Sequence, residues 1–324
     1  MSSQITAGPA AQAAGPARAS LAKKPRGRLR KRVEIAAFAG PALVVYVAFV
    51  FVPVVLAAYY SFFNWNGLSA LDQFIGFDNY ERVLTDPVFH DAVKHNFLIV
   101  ILSILIQGPL ALAVALLLNR NIRGRALLRV LIFVPYVLSE VIAGLAWLLI
   151  LQPHGPFDTV LEKFGLEGIR QLWLADPNVA LWTIFGILTW KYLGLAIILF
   201  LAGLQGVPEE LTEAASIDGA NWWQIQFRIT IPLLGPTIRI WAFLSIIGSL
   251  QLFDMVWIVT GGGPVNATTT MAQYMVLYGL NRTQVGFGSA VAVVLFFISL
   301  TVALLYQRFA LRRDLAGALT SRTQ

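Results

Sequence analysis

The sequence predicts an all-α protein that crosses a membrane six times. Of its 324 residues, 57% are hydrophobic and only 13% are charged, whereas soluble globular chains carry roughly a quarter charged residues. The hydrophobic residues form stretches of about 20, the length that a helix needs to cross a hydrocarbon core of ~30 Å. Lysine and arginine are concentrated in alternate connecting segments, as in membrane proteins of fixed orientation. These observations predict one membrane domain, at 34–313.

Hydropathy places the six spans in order along the chain. They are expected at residues 36–60, 97–118, 130–151, 179–204, 238–260 and 287–306. Pro41 and Pro53 interrupt the first span, and Gly108-Pro109 predicts a kink in the second. Proline is tolerated in a span because neighbouring helices satisfy the carbonyls that it frees. We favour simple kinks over hinges at these positions.

The charged residues predict the orientation of the chain. Basic residues cluster before the first span, after the second and after the last, and acidic residues prevail after the first and the third. Because lysine and arginine accumulate in cytoplasmic loops, both ends are expected in the cytoplasm. The net charge of +7 is then a topology signal and does not indicate nucleic-acid binding. Residues 1–33 are expected to be a disordered basic tail, and 314–324 a C-terminal tail.

The composition excludes several kinds of chemistry. The chain has no cysteine, which excludes disulfides, thiolate catalysis and cysteine-based metal sites. Its three histidines, His90, His95 and His154, lie in or beside loops without an HExxH pattern, so no metal site is predicted. No Gly-Lys dipeptide occurs, which excludes an ATP-binding loop of the GxxxxGK[ST] form. We find no paired carboxylates or nucleophile–base set at one interface and predict a non-enzymatic protein.

The polar segment 205–237, between the fourth and fifth spans, is long and patterned. Pro208 suits the first turn of a helix because its missing N–H would be unpaired there anyway. This helix is expected to run to Ile217. Gly219 can then take the left-handed conformation that ends a helix. The segment therefore predicts a short helix followed by a sharp turn.

A second helix is predicted after this turn. Asn221 and Gln224 have the spacing of a capping box, and Pro232 closes the helix. It carries three aromatic residues, Trp222, Trp223 and Phe227. One interpretation is an amphipathic helix at the membrane surface, with its tryptophans at headgroup level. A second interpretation is the close approach of a partner, which small residues in the first helix permit; they are Ala214, Ala215 and Ser216. Taken singly, these features favour the membrane-surface interpretation.

The spacing of the whole segment favours the second interpretation. Glu-Ala-Ala at 213–215 is followed after three residues by Gly219 and after nine more by Ile229, and Pro232 lies three positions further on. This pattern, before the last two spans, resembles the EAA loop of bacterial ABC importers. Ile231 stands where that family usually has leucine.

Four further stretches resemble sugar permeases of the maltose-transporter type, within the type I ABC importers. They are Ser-Phe-Phe-Asn-Trp at 61–65, Phe-Ile-Gly-Phe-Asp-Asn-Tyr at 74–80, Leu-Asn-Arg at 118–120 and Thr-Gly-Gly-Gly-Pro at 260–264. The resemblance covers about residues 35–313. It implies the type I importer permease fold in a bacterial plasma membrane.

The resemblance also implies partners. A second homologous permease would complete the path, two cytoplasmic ATPase subunits would hold ATP and magnesium, and an extracytoplasmic binding protein would deliver the sugar. No cofactor is expected in this chain. The residues implied to couple to the ATPase are Glu213, Ala214, Ala215, Asp218 and Gly219.

Members of this family line their path with the fourth and fifth spans. By matching motifs, the substrate contacts would be Trp190, Lys191, Tyr192, Leu195, Leu244, Ile247, Gly248 and Gln251. At ~1.5 Å per residue, residues 190–192 lie near the midplane of the fourth span. Several of the eight positions are apolar.

Glu140 and Lys191 are ionisable residues predicted near mid-depth, where each costs ~2.5–3.5 kcal/mol on insertion scales. Three interpretations stay open: they pair with one another, they contact the sugar or its binding protein, or they pair with the second permease. Together with Asp254 they also motivate an alternative function, an ion-coupled secondary sugar transporter. The sequence leaves open which sugar is carried.

Overall fold

A computed structural model describes residues 27–120 and 123–311, with side chains from residue 34 to 310. Residues 1–26 of the expected basic tail and the whole expected C-terminal tail lie outside the described residues. Within them the chain forms no strand, and an isolated antiparallel bridge joins Phe63 and Phe74. The prediction of an all-α fold is confirmed.

Residues up to Val54 form a first unit, and those from Val55 on form a second. The first contains α1 (Gly27–Tyr46), a π-helical turn (Val47–Phe51) and the start of α2 (Val52–Tyr60). Helix α1 begins inside the stretch 1–33 that we expected to be disordered. Residues 27–33 are rich in arginine, lysine and leucine, which are good helix formers.

The second unit contains the remaining helices. They are α3 (Asp78–Thr85), α4 (Pro87–Leu102), α5 (Gly108–Leu118), α6 (Arg125–Val137), α7 (Glu140–Ile150), α8 (Pro156–Lys163), α9 (Ala180–Leu204), α10 (Glu209–Ile217), α11 (Trp222–Ile225), α12 (Ile231–Leu233), α13 (Gly235–Leu250), α14 (Asp254–Val259), α15 (Met271–Tyr274) and α16 (Val285–Tyr306). Further π-helical turns follow four of them, at Ser103–Gln107, Gln226–Thr230, Met275–Leu280 and Gln307–Leu311.

Four helical stretches are long and apolar enough to cross a membrane. They are Glu34–Tyr60, Pro87–Leu118, Ala180–Leu204 and Val285–Ala310. Two helix pairs qualify only when taken together: α6 with α7, bent by 97°, and Trp222–Leu233 with α13, bent by 66°. By length and composition, the described residues thus hold four spans, or up to six if each bent pair is one span. Our prediction of six corresponds to the upper value.

The third predicted span is broken in two. We expected one helix over 130–151, but α6 and α7 are separated by Leu138 and Ser139. Both residues have extended backbone, and the Ser139 hydroxyl accepts a hydrogen bond from the Ile142 amide at 3.2 Å. Serine in this position stabilises the start of a helix, so a new helix begins at Glu140.

The fifth predicted span, 238–260, is also interrupted. Helix α13 ends at Leu250, and α14 begins only at Asp254. The side-chain amide of Asn96 donates hydrogen bonds to the carbonyls of Ser249 and Leu250, at 2.6 and 3.3 Å. These carbonyls would otherwise accept from the next helical turn, and a side chain from α4 satisfies them instead.

Three of the π-helical turns end two residues before a proline. The turns Val47–Phe51, Ser103–Gln107 and Gln226–Thr230 precede Pro53, Pro109 and Pro232. In each, the residue directly before the proline donates its amide to the carbonyl five positions back. Proline has no amide hydrogen, and its ring clashes with the carbonyl four positions back; a wider turn relieves that clash. The second span thus continues through Gly108-Pro109, where we predicted a kink.

The second unit buries three clusters of apolar side chains. One joins α5, α9 and α13 and includes Phe200 and Trp241. Another joins α4, α7, α9 and α14 around Ile184 and Met255. The third joins α3, α4, α15 and α16 around Tyr274. Helices α4, α9 and α13 each take part in two of the clusters, since Leu250 of α13 also belongs to the third, so these helices hold the unit together.

Helix α9 touches α6 at a glycine. A Cβ atom at Gly194 would lie 2.5 Å from the carbonyl oxygen of Ile132 and 3.1 Å from the Cα of Phe133. Small residues permit such close backbone approach between membrane helices. At Gly186, two turns earlier in α9, a Cβ would have no atom within 4 Å. The contact between α6 and α9 therefore depends on Gly194.

A polar cluster organises the segment between α7 and α9. The buried Asp158 accepts hydrogen bonds from the backbone amide of His154 at 3.0 Å and from the indole of Trp173 at 3.2 Å. The Arg170 guanidinium lies 3.6 Å from the same carboxylate and also bonds Glu162. Burial by itself raises the pKa of Asp158, but the two hydrogen bonds and Arg170 outweigh it and hold the pKa below its usual value.

We expect acid to loosen this cluster. Because the folded pKa of Asp158 is depressed, its stabilisation is present above the ordinary value of 3.8 and is lost as the pH falls through the folded pKa. Hydrogen exchange of the His154 amide, corrected for its intrinsic pH dependence, should therefore accelerate below about pH 4. In Asp158→Asn, exchange should already be faster at neutral pH. Equal protection in both proteins at pH 7 would contradict this expectation.

Candidate functional sites

The loop between α9 and α13 is a helical hairpin. We predicted Pro208 in the first turn of α10, but the helix begins one residue later, and Pro208 directly precedes it. Glu209 and Glu210 occupy the first turn. Acidic residues there are stabilised by the positive end of the helix dipole. Helix α10 ends at Ile217 as predicted, and Gly219 has a φ of +82°, a left-handed conformation that glycine adopts without strain.

The second arm of the hairpin starts with the predicted capping box. The Gln224 side chain accepts from the Asn221 amide at 2.8 Å, and the Asn221 side chain accepts from the Gln224 amide at 2.9 Å. Trp223 stacks on Phe227 with ring centroids 6.0 Å apart, and both side chains are 63% exposed. The arm therefore leaves an aromatic surface uncovered.

The five predicted coupling residues all lie in α10 or in the turn that follows it. Glu213, Ala214, Asp218 and Gly219 are exposed, and Ala215 is half-buried. Beside them Ile217 is 86% exposed. Within the described residues, the carboxylates of Glu213 and Asp218 make neither a hydrogen bond nor an ion pair. The hairpin thus exposes large apolar side chains on both arms, Ile217 on one and Trp223 and Phe227 on the other.

A cavity of about 170 Å³ lies between α4–α5, α9 and α13. The polar side chains of its wall are those of Ser103, Gln107, Tyr192, Ser245 and Ser249. Its apolar wall includes Trp241 and several leucines. A mostly apolar hollow with a few polar groups is the usual form of a small-molecule site.

Four of the eight predicted substrate contacts line this cavity, and four do not. Those that do are Tyr192, Leu195, Leu244 and Gly248. Trp190 packs edge-on against Trp147, with ring centroids 5.4 Å apart, and Lys191 bonds toward α6. Ile247 lies outside the cavity wall, and Gln251 follows the end of α13. Neighbouring positions on one helix face different directions, so the eight residues do not all line this cavity.

The sequence reasoning missed four polar residues of the cavity wall. Ser103 and Gln107 lie four positions apart in the second span, and Ser245 and Ser249 lie four positions apart in α13. Residues with this spacing share a face of a helix. Paired polar residues inside apolar stretches were the signal that could have identified them.

Glu140 and Lys191 lie beside one another at the break between α6 and α7. The Lys191 ammonium is 3.6 Å from the Glu140 Oε1 and donates to the carbonyl of Leu138 at 2.6 Å. The Tyr192 hydroxyl donates to the same Glu140 oxygen at 2.6 Å. This contact corresponds to the first of the three interpretations left open, in which Glu140 and Lys191 pair with one another.

The described residues contain no group of three histidine, aspartate or glutamate side chains that could hold a metal ion. His95 Nδ1 lies 2.9 Å from the Thr269 carbonyl, and His154 Nδ1 lies 2.8 Å from the Arg170 guanidinium. Both rings have structural partners.

Comparison with known proteins identifies related membrane proteins. The family described as "Binding-protein-dependent transport system inner membrane component" matches residues 107–314. The sulfoquinovosyl glycerol transport system permease protein of Agrobacterium fabrum is 35% identical, over 85% of this chain and 89% of its own. The multiple sugar-binding transport system permease protein of Streptococcus mutans is 32% identical, over 79% and 88%. The trehalose/maltose transport system permease protein of Thermococcus litoralis is 32% identical, over 85% and 92%.

A solved structure has the same fold. A chain from the crystal structure of a bacterial alginate ABC transporter, in complex with an alginate pentasaccharide-bound periplasmic protein, superposes with a TM-score of 0.78. The superposition covers 89% of this chain and 98% of that chain, at 23% sequence identity. At this identity, the likeness concerns the fold alone.

Proposed function

The chain belongs to the family of binding-protein-dependent transport system inner membrane components, and we propose that it is the permease subunit of an ATP-driven sugar importer. It is a multi-pass membrane protein and a transport subunit rather than an enzyme. Three relatives match this chain over most of their own length. Their names refer to the transport of sulfoquinovosyl glycerol, of multiple sugars, and of trehalose or maltose. The observation that carries the proposal is the cavity beside Tyr192. It is lined by α9, the helix that leads into the exposed hairpin.

The cavity suits a neutral, hydroxyl-rich solute. Serine, glutamine and tyrosine side chains offer both donors and acceptors, and Trp241 and Tyr192 offer aromatic surface. Its volume of about 170 Å³ is below the ~300–1,000 Å³ of typical ligand pockets. We therefore infer that this chain supplies part of the site and that a second, homologous permease completes it.

The hairpin between α9 and α13 supplies the coupling. We infer that Glu213, Ala214, Ala215, Asp218 and Gly219 dock on a cytoplasmic ATPase, which would bind ATP and magnesium. The exposed Ile217 and the unpaired carboxylates are the support for this docking surface. With the hairpin and both chain ends in the cytoplasm, an extracytoplasmic binding protein would deliver the sugar on the opposite side.

Filling the cavity should reduce transport. Gly248 lines it, and a Cβ there would have no atom within 4 Å, so Gly248→Leu should fold and project into the hollow. We expect uptake of sugar, delivered by the binding protein, to fall at least about tenfold, the effect of losing ~1.4 kcal/mol of binding. Gly186→Leu, another glycine in open space, is the matched control. Unchanged uptake in Gly248→Leu would exclude this cavity from the path.

Reconstitution tests the function directly. The chain should be recovered with a second permease and an ATPase, and vesicles containing this complex should accumulate sugar only when ATP and the binding protein are present. The competing function is ion-coupled secondary transport, motivated by Glu140, Lys191 and Asp254. Sugar uptake by the chain alone, in vesicles without nucleotide but with an ion gradient, would overturn the proposal in favour of that alternative.

A further inference from the structure

The break between α6 and α7 exposes backbone groups inside a predicted span. A helix end leaves up to four carbonyls or amides without partners, and an unpaired backbone group in a bilayer costs several kcal/mol. Here the bend of 97° creates two such ends separated by two residues. The molecule must satisfy both ends from within.

A lysine and a capping serine each bond one of these groups, and two opposite charges lie beside the two ends. At the carboxyl end of α6, the Lys191 ammonium donates to the Leu138 carbonyl at 2.6 Å. At the amino end of α7, Glu140 is the first helical residue and Ser139 caps the helix. A cation at a helix carboxyl end and an anion at an amino end are each stabilised by the helix dipole. The 3.6 Å contact between Lys191 and Glu140 then ties the two ends together.

The same carboxylate holds a residue of the cavity wall. The Tyr192 hydroxyl donates to Glu140 Oε1 at 2.6 Å, while Tyr192 itself lines the cavity between α4–α5, α9 and α13. The other oxygen, Oε2, is buried and has no partner among the described residues. The position of the carboxylate thus depends on Lys191 and Tyr192.

Lys191 itself is turned away from the cavity. Its side chain is 3% exposed, it is absent from the cavity wall, and its ammonium points to Leu138. Direct contact with a solute in that cavity is therefore not its role. Its effect on a solute in that cavity would therefore pass through Glu140 and Tyr192.

We propose that Lys191 and Glu140 form a clamp that fixes the bend between α6 and α7 and positions Tyr192 in the cavity wall. Through Tyr192, the clamp links a solute in the cavity to the angle between α6 and α7. Lys191 and Glu140 are positioning residues for the solute contact made by Tyr192. This role in transport rests on the proposed function, whereas the bend itself does not.

The first test measures the bend. Because the chain has no cysteine, spin labels can be placed specifically at Leu128 in α6 and Leu149 in α7, both exposed. In the assembled complex we expect a narrow distance distribution that broadens or shifts in Lys191→Met, which removes the cation beside the partly buried Glu140 carboxylate. The control is Thr189→Val on the same helix, whose hydroxyl is buried without a partner.

A double variant keeps the test informative if Lys191→Met folds poorly. Lys191→Met with Glu140→Leu removes both charges, so its yield of folded complex should exceed that of Lys191→Met alone. An unaltered distance distribution in Lys191→Met would overturn the proposed clamp. So would a loss of folded complex in the double variant equal to the sum of the losses in the two single variants. Neither measurement requires transport, so a failure of the proposed function would be recognised separately, by the absence of ATP-dependent uptake in the unmodified complex.

The second test concerns positioning. With the sugar that the unmodified complex transports best, Tyr192→Phe and Glu140→Leu should each raise the half-saturating concentration about tenfold, the effect of losing one charge-assisted hydrogen bond. Their combination should be no worse than either alone, because both remove the same bond. Glu140→Gln, which still accepts from the hydroxyl, should recover most of the affinity. Additive effects in the combined variant would overturn the positioning role.

Discussion

Replacing Gly219 with valine is expected to abolish ATP-driven uptake while the protein still inserts into the membrane. The residue has a φ of +82°, and a β-branched side chain at such an angle is strained by about 1–3 kcal/mol. A Cβ there would have no atom within 4 Å, so the strain falls on the turn of the hairpin and not on packing. We expect the turn to change conformation and the docking surface of α10 to move with it. Uptake and co-purification of the ATPase are the measurements.

The chain provides a matched control at Gly124. Its φ is +81°, and a Cβ there would also have no atom within 4 Å, but it precedes α6 and lies outside the hairpin. Gly124→Val should therefore impose the same local strain without loss of ATPase binding. Glu213→Lys should reproduce the Gly219→Val defect by reversing a charge on the docking surface. If Gly219→Val and Gly124→Val behave alike, the hairpin has no special role in coupling.

A single methyl group at Gly194 is expected to destabilise the protein, and the same change at Gly186 to stabilise it. At Gly194 the methyl would meet the Ile132 carbonyl oxygen at 2.5 Å, so α6 and α9 must separate. Overpacking of this kind costs about 1–3 kcal/mol. At Gly186 the space is open, and alanine in place of glycine favours a helix by roughly 0.8–1 kcal/mol.

Thermal unfolding in one detergent measures both variants. Gly194→Ala should lower the melting temperature, and Gly186→Ala should raise it. Tolerance of alanine at Gly194 would show that the close contact between α6 and α9 is not needed for stability. Comparing two alanines on one helix removes differences in hydropathy and in helix propensity.

The hairpin could be predicted closely because its signals are local. The end of α10 at Ile217, the left-handed Gly219 and the capping box at Asn221 each depend on residues within one turn of the chain. The start of α10 was wrong by one residue, since Pro208 precedes the helix instead of opening it. Such signals specify helix ends whatever packs around them.

The break at Leu138 could not be predicted from hydropathy. A two-residue interruption hardly changes an average taken over about 19 residues, so 130–151 read as one span. The available signal was Ser139 followed by Glu140, a capping residue and an acidic first turn. These two residues lie inside an apolar stretch, and we interpreted Glu140 only as a charge within the membrane.

The cavity depends on how three helices face one another, which is tertiary information. Tyr192 and Leu195 line it, whereas Trp190 and Lys191 lie toward α7 and α6. Motif matching chose two helices that line the cavity, but four of its eight positions lie outside the cavity wall. Polar residues on the second span, such as Gln107, belong to the wall only because α5 packs against α9 and α13.

The wide turns before Pro53, Pro109 and Pro232 also change the direction of the side chains that follow them. Each turn inserts one residue into its helix. At 3.6 residues per turn, one extra residue rotates every later side chain by about 100° relative to an uninterrupted α-helix. An apolar pattern that is read along these helices with one constant period therefore goes out of phase at each proline.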